Sequence, residues 1–269
     1  MPKIISFLAQ KGGVGKTSSC TSFAYFLADK HDKKVLCIDL DSQANLSQIF
    51  DCEIETDEAG NQLENGVFNL LMGSADFEET VKEADTEKGL IHVIPSSSKL
   101  MLAGVELGVN YGVKGSIDRL KIALSGKLNN YDFVLIDCPP NLSITVQNAL
   151  SISHFCLIPT QLEPLAINGI NTMIEAVEVI RNGGVNKNLQ LGGFMVCRYN
   201  KGAILYRDML ADIEEAFLGM VYKTKIRQSV AIAESQAARE SLFSYAPESN
   251  GAQDYKALFE EITTQLNLL

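Results

Sequence analysis

The chain has 269 residues, 46% hydrophobic and 21% charged, a balance that supports an ample packed core and excludes wholesale disorder. No apolar run reaches the length of a bilayer span and no signal peptide precedes the first apolar strand, so a cytoplasmic location is expected. The formal charge of −10 excludes a protein that coats nucleic acid with its whole surface; any such contact must come from a local patch.

Regular strand–helix alternation predicts one doubly wound α/β domain with a mostly parallel sheet flanked by helices over residues 1–269. The first strand is expected at Ile4–Leu8, followed by a helix through about Ala28 with Phe23, Phe26 and Leu27 on its apolar face. Between them stands Ala9-Gln10-Lys11-Gly12-Gly13-Val14-Gly15-Lys16-Thr17. Three glycines in four positions let the backbone turn tightly and aim successive N–H groups at an anion, and the helix after them adds the positive end of its dipole. The stretch reads as a phosphate-binding loop, with Lys16 on the β- and γ-phosphates and the Thr17 hydroxyl on Mg²⁺. It departs from G-x-x-x-x-G-K-[ST] in carrying Gln10 for the first glycine and a second lysine, Lys11.

Lys34–Leu40 is a continuous apolar run of the buried parallel kind, ending in Asp39-Leu40-Asp41-Ser42-Gln43-Ala44-Asn45. Carboxylates at the end of such a strand lie where open α/β sheets bind ligands. Residues 51–66 hold six carboxylates and no base and read as a solvated acidic insertion. Helices are expected at Val67–Met72, Phe77–Ala84, Lys99–Leu107 and Ser116–Leu128, with a strand at Leu90–Pro95. Tyr131–Asp137 is an apolar strand ending in an acid, followed by Cys138-Pro139-Pro140, the form of a Walker B strand. Further strands are expected at His154–Pro159, Leu191–Val196 and Val221–Ile226. Helices fall between them at Leu165–Asn182, Ile204–Phe217 and Val230–Ala238, and a last helix at Ala252–Leu268 buries Tyr255, Leu258, Phe259, Ile262 and Leu266. The six cysteines form no C-x-x-C pair and read as buried free thiols.

In its motifs K-G-G-V-G-K-T, D-L-D-S-Q-A-N at Asp39–Asn45, the Ile94–Leu107 run, L-I-D-C-P-P at Leu135–Pro140 and Y-A-P-E-S-N-G-A-Q-D-Y at Tyr245–Tyr255, the chain resembles the ParA (Soj-like) partition ATPases nearly end to end. That group belongs to the P-loop NTPases with a deviant Walker A loop, shared with MinD. The resemblance implies ATP and Mg²⁺ as cofactors and an ATP-dependent homodimer with nucleotide held between the subunits. Lys11 would then reach the partner's phosphates, while Gly12, Gly13, Val14, Gly15, Lys16, Thr17 and Ser18 hold the phosphates and metal in the same subunit. Asp41 would orient the attacking water, and Asp39 and Asp137 with Thr17 would support the metal. The adenine would rest near Asn200, Ile226 and Arg227; relatives often carry proline at the last position.

The same resemblance implies a ParB-like centromere-binding partner, nucleoid association and binding to double-stranded DNA without sequence preference. Residues 181–239 carry nine Lys or Arg against five Asp or Glu, a local excess on an acidic chain. The candidate contacts there are Lys201, Arg207, Lys223, Lys225, Arg227 and Arg239. The alternative is a MinD-like switch that positions a membrane or protein cargo, for which Arg198-Tyr199-Asn200 is the point of likeness. MinD relatives end in a basic amphipathic helix, whereas here Asp254, Glu260 and Glu261 oppose Lys256, and anionic lipid would repel them; no membrane partner is expected. A third class, the cluster-bridging relatives of the nitrogenase iron protein, would need Cys138 as a ligand, and the cysteine spacing supplies no cluster motif.

Overall fold

The computed structural model describes residues 1–57, 62–200, 202 and 204–269. In chain order the elements are β1 (Lys3–Phe7), α1 (Lys16–Tyr25), β2 (Lys34–Asp39), α2 (Asn45–Ile49), α3 (Val67–Met72), β3 (Lys82–Ala84), β4 (Leu90–Ile94), α4 (Ala103–Ile117), α5 (Arg119–Ala123) and β5 (Phe133–Asp137). They continue with α6 (Ile144–Ile152), β6 (Phe155–Thr160), α7 (Ala166–Asn182), β7 (Gln190–Val196), α8 (Ile204–Ala216), α9 (Val230–Ala237), α10 (Leu242–Tyr245) and α11 (Asn250–Gln265). A seven-stranded sheet runs in the order β3-β4-β2-β5-β1-β6-β7, parallel throughout except where β3 meets β4. This is the expected doubly wound, mostly parallel α/β architecture.

The apolar runs of β1, β2 and β5 alternate between two cores, one on each face of the sheet. Ile4, Ile38 and Ile136 join Val67, Leu107, Leu120, Val146 and Ile170 on one face. Ile5, Cys37 and Leu135 join Phe23, Phe26, Leu46, Leu258 and Phe259 on the other. A strand buried on both sides must be apolar at nearly every position, which is why these segments read as continuous runs rather than alternating ones. On the second face Phe259 of α11 stacks on Phe23 of α1 with ring centroids 4.7 Å apart, so the last helix is a structural wall of the domain. All six cysteines are buried free thiols.

Several elements differ from the sequence reading. The first helix is α-helical only to Tyr25 and continues as a π-turn over Phe26–Lys30. The helix expected at Phe77–Ala84 is instead a short 3-10 turn at Phe77–Glu79 and then the antiparallel edge strand β3, where Lys82–Ala84 pairs with Ile91–Val93. The helices expected at Lys99–Leu107 and Ser116–Leu128 are a 3-10 turn at Ser98–Leu102, the longer α4 and the short α5; Gly112, at φ 65° and ψ 177°, breaks α4 from within. The strand expected at Val221–Ile226 forms only one isolated bridge, Phe194 with Val221, and Arg227 just beyond it forms another with Tyr199. Its backbone still bonds to β7, with Tyr222 N donating to Phe194 O at 3.1 Å and Ile226 N to Val196 O at 2.9 Å. Strong β propensity there is overruled by irregular pairing at a sheet edge.

The acidic segment 51–66 finds its bases elsewhere in the chain. Arg239 pairs with Asp51 and, at 2.9 Å, with Glu53, and Lys82 pairs with Glu64 and donates to Glu53 O at 2.7 Å. Part of the segment, residues 58–61, lies outside the described residues.

Candidate nucleotide site

Parallel strands bring the loops after β1, β2, β5, β6 and β7 to one edge of the sheet. The loop after β1 leads to a helix on one face and the loop after β5 to a helix on the other, which opens a crevice between neighbouring strands. The glycine-rich loop sits there. Gly13 and Gly15 have φ of 77° and 96°, a region that costs other residues steric strain, and a Cβ on Gly15 would lie 3.4 Å from Cβ and Sγ of Cys197. The Gly13 carbonyl accepts hydrogen bonds from Gln161 Nε2 at 2.8 Å and Arg198 Nη1 at 3.4 Å. Residues just after β6 and β7 thus hold the loop from outside.

At the start of α1 the charged groups converge. Lys16 Nζ lies 3.5 Å from Asp137 Oδ1 and 4.0 Å from Asp41 Oδ2, and Thr17 Oγ1 donates to Asp137 Oδ2 at 2.6 Å. Burial alone would lower the Lys16 pKa, but Asp137 and Asp41 overcome it and hold the ammonium charged. Burial raises the Asp137 pKa, opposed by Lys16 and the Thr17 hydroxyl. Asp137 Oδ1 is buried and accepts no hydrogen bond.

Asp39 and Asp137 are register partners on adjacent strands, and burial followed by repulsion from Asp137 pushes the Asp39 pKa up to about 7. Asp39 differs from its expected place among the metal-supporting groups. Its Oδ2 accepts from Ser47 N at 3.0 Å and Ser47 Oγ at 2.8 Å, and its Oδ1 accepts from Asp41 N at 3.1 Å. Both oxygens are turned to protein, so Asp39 fixes the turn that presents Asp41. Asp41 Oδ1 in turn accepts from Gln43 N at 3.0 Å, and its side chain faces the cleft.

That cleft is open and about 1060 Å³ in volume. Gly12, Gly13, Gly15, Lys16, Thr17 and Ser18 line one end, Asp41, Pro139 and Pro140 one side, and Ile226, Arg227 and the inner face of α9 the far wall. Of the residues expected near the adenine, Ile226 and Arg227 line this cleft. Asn200 is not brought to the cleft wall; its Oδ1 caps a local turn by accepting from Gly202 N at 3.0 Å. Lys11 points out of the site: its side chain is 64% exposed and pairs with Glu163 of its own chain.

The DNA candidates are scattered in their circumstances. Arg227 makes a two-pronged pair with Asp254 at 2.7 and 2.8 Å, Lys225 pairs with Glu214 at 2.9 Å, and Arg239 is held by the acidic segment. Arg207 and Lys223 are exposed, and Lys201 lies outside the described residues. Cys138 is wholly buried, and burial pushes its thiol pKa well up, which leaves no ligand face for a cluster shared between subunits.

The sequence reading missed Gln161, Glu163 and Ser47, and noted Arg198 only as part of a resemblance. The available signal was position: Gln161, Glu163 and Arg198 come directly after β6 and β7 at the ligand edge of the sheet.

A family model described as an AAA domain matches residues 2–191. The chain is 33% identical to the chromosome-partitioning ATPase Soj of Thermus thermophilus, over 97% of this chain and 96% of that one. It is 31% identical to the sporulation initiation inhibitor protein Soj of Bacillus subtilis, over 97% of this chain and 98% of that one. A crystal structure of cobyrinic acid a,c-diamide synthase from Mycobacterium smegmatis, with bound ATP analogue and magnesium, superposes with a TM-score of 0.81 at 25% identity, covering 97% of this chain and 93% of that one.

Proposed function

This chain belongs to the AAA-domain family of P-loop ATPases and, within it, to the Soj/ParA chromosome-partitioning group; from that premise we propose that it is an ATP-driven positioning switch. In this reading ATP closes two subunits over a shared pair of nucleotides, the closed dimer holds DNA without sequence preference, and a ParB-like partner speeds hydrolysis and release.

The observation that carries the nucleotide assignment is the convergence of Lys16, Thr17, Asp41 and Asp137 beside a loop whose two left-handed glycines shape an anion cradle. Mg²⁺ fits the donors present. The Thr17 hydroxyl and the Asp137 carboxylate are hard oxygen ligands, and Asp137 Oδ1 is a buried acceptor without a hydrogen bond. Mg²⁺ bound with nucleotide takes most of its other ligands from phosphate and water. When bound, the metal would neutralise phosphate charge.

The chain's own residues do the rest. The loop orients the triphosphate through backbone N–H groups, and Lys16 offsets charge on the phosphates. Asp41, whose N–H is held by Asp39 and whose Oδ1 accepts from Gln43 N, orients the attacking water. Lys11 supplies a cation in trans, in the manner of an arginine finger worth ~10³–10⁵ in rate where such groups have been removed. The outward, exposed Lys11 of the single chain is compatible with that role, because its pair with Glu163 is solvent-exposed and so weak.

The helix on which the MinD-like reading would rest, α11, packs into the core through Tyr255, Leu258, Phe259 and Ile262, and no helix among the described residues is long and apolar enough to cross a membrane. The deciding experiment measures ATP binding, hydrolysis and mass in solution for wild type, Lys16→Ala and Asp41→Ala. The reading expects loss of binding in the first variant and an ATP-bound, hydrolysis-deficient dimer in the second. Normal turnover by Asp41→Ala would overturn the assigned mechanism.

A further inference from the structure

At the end of the sheet opposite the nucleotide cleft, the first residues of β1, β6 and β7 and the last turn of α7 enclose a second hollow of about 520 Å³. Its charged side-chain lining is entirely basic: Lys3, Arg181 and Lys187, with His154 among the other lining residues and no carboxylate. On a chain of net charge −10 such a segregation requires a reason. Arg181 has one within the monomer, since it lies in the last turn of α7, where a cation offsets the helix dipole, and stands 3.6 Å from Glu178. Lys3 and Lys187 form no ion pair among the described residues.

His154 adds a directed donor. Its Nδ1 accepts the Ile4 N–H at 2.9 Å, so the ring is the neutral tautomer with its proton on Nε2. Burial, with Lys3 adding to it, lowers the His154 pKa, which reports the same positive surroundings.

We propose that this hollow is an anion site for a phosphate group, and that in the working protein the phosphate is a phosphodiester of duplex DNA. The assignment of source rests on the DNA-binding reading above; the phosphate chemistry does not. Three observations favour it over Arg227, Lys225 and Arg239 of the patch read from sequence, while Arg207 and Lys223 remain its competitors in the test below. Arg227, Lys225 and Arg239 are engaged by Asp254, Glu214 and the Asp51–Glu53 segment, so each would have to give up an ion pair to meet a phosphate. Lys3 and Lys187 would give up nothing of the kind. The hollow is also concave and separated from the loop end of the site by the length of β1, four steps of ~3.3 Å, so that DNA held there leaves the nucleotide face free to close on a partner.

The test uses the full chain with ATP and Mg²⁺ present, and a labelled duplex of about 20 base pairs and inorganic phosphate as separate probes, each titrated at several salt concentrations. Lys3→Glu with Lys187→Glu is compared with Arg207→Glu with Lys223→Glu. Lys187→Ala alone, in an exposed loop, guards against a folding defect at β1, and ATP binding is the folding control. The site predicts that the first double variant loses at least tenfold in duplex affinity at low salt. The slope of log affinity against log salt should fall by about two, because each phosphate contact contributes ~0.9. Lys187→Ala should lose about half that slope change, with ATP binding kept. Phosphate binding that is lost in these variants while wild type ignores the duplex would uphold the site and reject the DNA-binding reading. Wild-type affinity and slope for both probes in the Lys3/Lys187 variants would overturn the proposal, whether or not the Arg207/Lys223 variant binds.

Discussion

Lys16 Nζ stands 3.5 Å from Asp137 Oδ1 with the carboxylate side chain wholly closed to water and the lysine nearly so. The pair is poised for exchange: an arriving triphosphate can take the ammonium, and a metal can take the carboxylate. Until then each ion compensates the other. Lys16→Ala should therefore do two separable things. It should abolish the thermal stabilisation given by nucleotide, and it should destabilise the protein without nucleotide by about 3 kcal/mol, the usual cost of leaving one member of a buried pair alone. Urea unfolding with and without nucleotide checks both. A Lys16→Ala protein as stable as wild type would mean that Asp137 is already neutral there.

Thr17→Val tests the other contact of Asp137. Removing the hydroxyl that donates to Oδ2 at 2.6 Å leaves a buried carboxylate oxygen with no donor. The expected loss is about 1–3 kcal/mol, together with weaker magnesium-dependent nucleotide binding. Thr17→Ser keeps the donor and should recover most of both. Equal behaviour of the two variants in unfolding and in magnesium titrations would remove the hydroxyl from the site.

Lys11 and Glu163 form a pair in which the lysine must be released before it can reach another subunit. Because the pair is exposed, its own worth is at most about 1 kcal/mol, too little to hold the lysine against a triphosphate. Glu163→Gln is expected to change monomer stability little and to favour the ATP-dependent dimer up to fivefold. Lys11→Ala should still bind ATP but lose dimer formation and turnover. Light scattering and steady-state hydrolysis on the same samples separate these effects.

Side-chain periodicity and short motifs hold information only at certain places, and these places decided how much was legible in the sequence. The strands Lys34–Asp39 and Phe133–Asp137 were readable because burial on both faces leaves them apolar from Val35 to Ile38 and from Phe133 to Ile136, and their terminal acids marked the ligand edge. The loop was readable because Gly13 and Gly15 adopt conformations that few other residues tolerate. Asp39 was found, but its donors were not: nothing local announces that Ser47, eight residues on, will donate both a backbone and a side-chain bond to its Oδ2. The Val221–Ile226 stretch has the composition of a strand, yet whether a sheet edge pairs regularly depends on its neighbour, here β7 with the positive φ of Gly193. The basic count over residues 181–239 was correct as a sum and silent on pairing. It could not say that Arg227 would meet Asp254 in α11, or that Lys187 and Lys3, far apart in sequence, would share a hollow.

His154 gives a pH dependence whose sign is fixed by one hydrogen bond. Its Nδ1 must stay unprotonated to accept from Ile4 N, and burial followed by Lys3 lowers its pKa below the ordinary 6.5. The folded state therefore binds a proton at this ring less readily than the unfolded chain does, and stability rises with pH across the interval between the two pKa values. Above 6.5 the contribution is complete; as the pH falls through 6.5 toward the lowered folded value it is progressively lost. His31 and His92, also lowered by burial, act in the same direction, so a whole-protein profile alone does not isolate any one ring. His154→Asn can keep an acceptor for Ile4 N without a titrating group. Denaturant unfolding between about pH 7.5 and 5 should show wild type losing its advantage over this variant as the solution is acidified. Two parallel profiles would mean that His154 has the same proton affinity folded and unfolded, and that the basic surroundings of the hollow do not reach the ring.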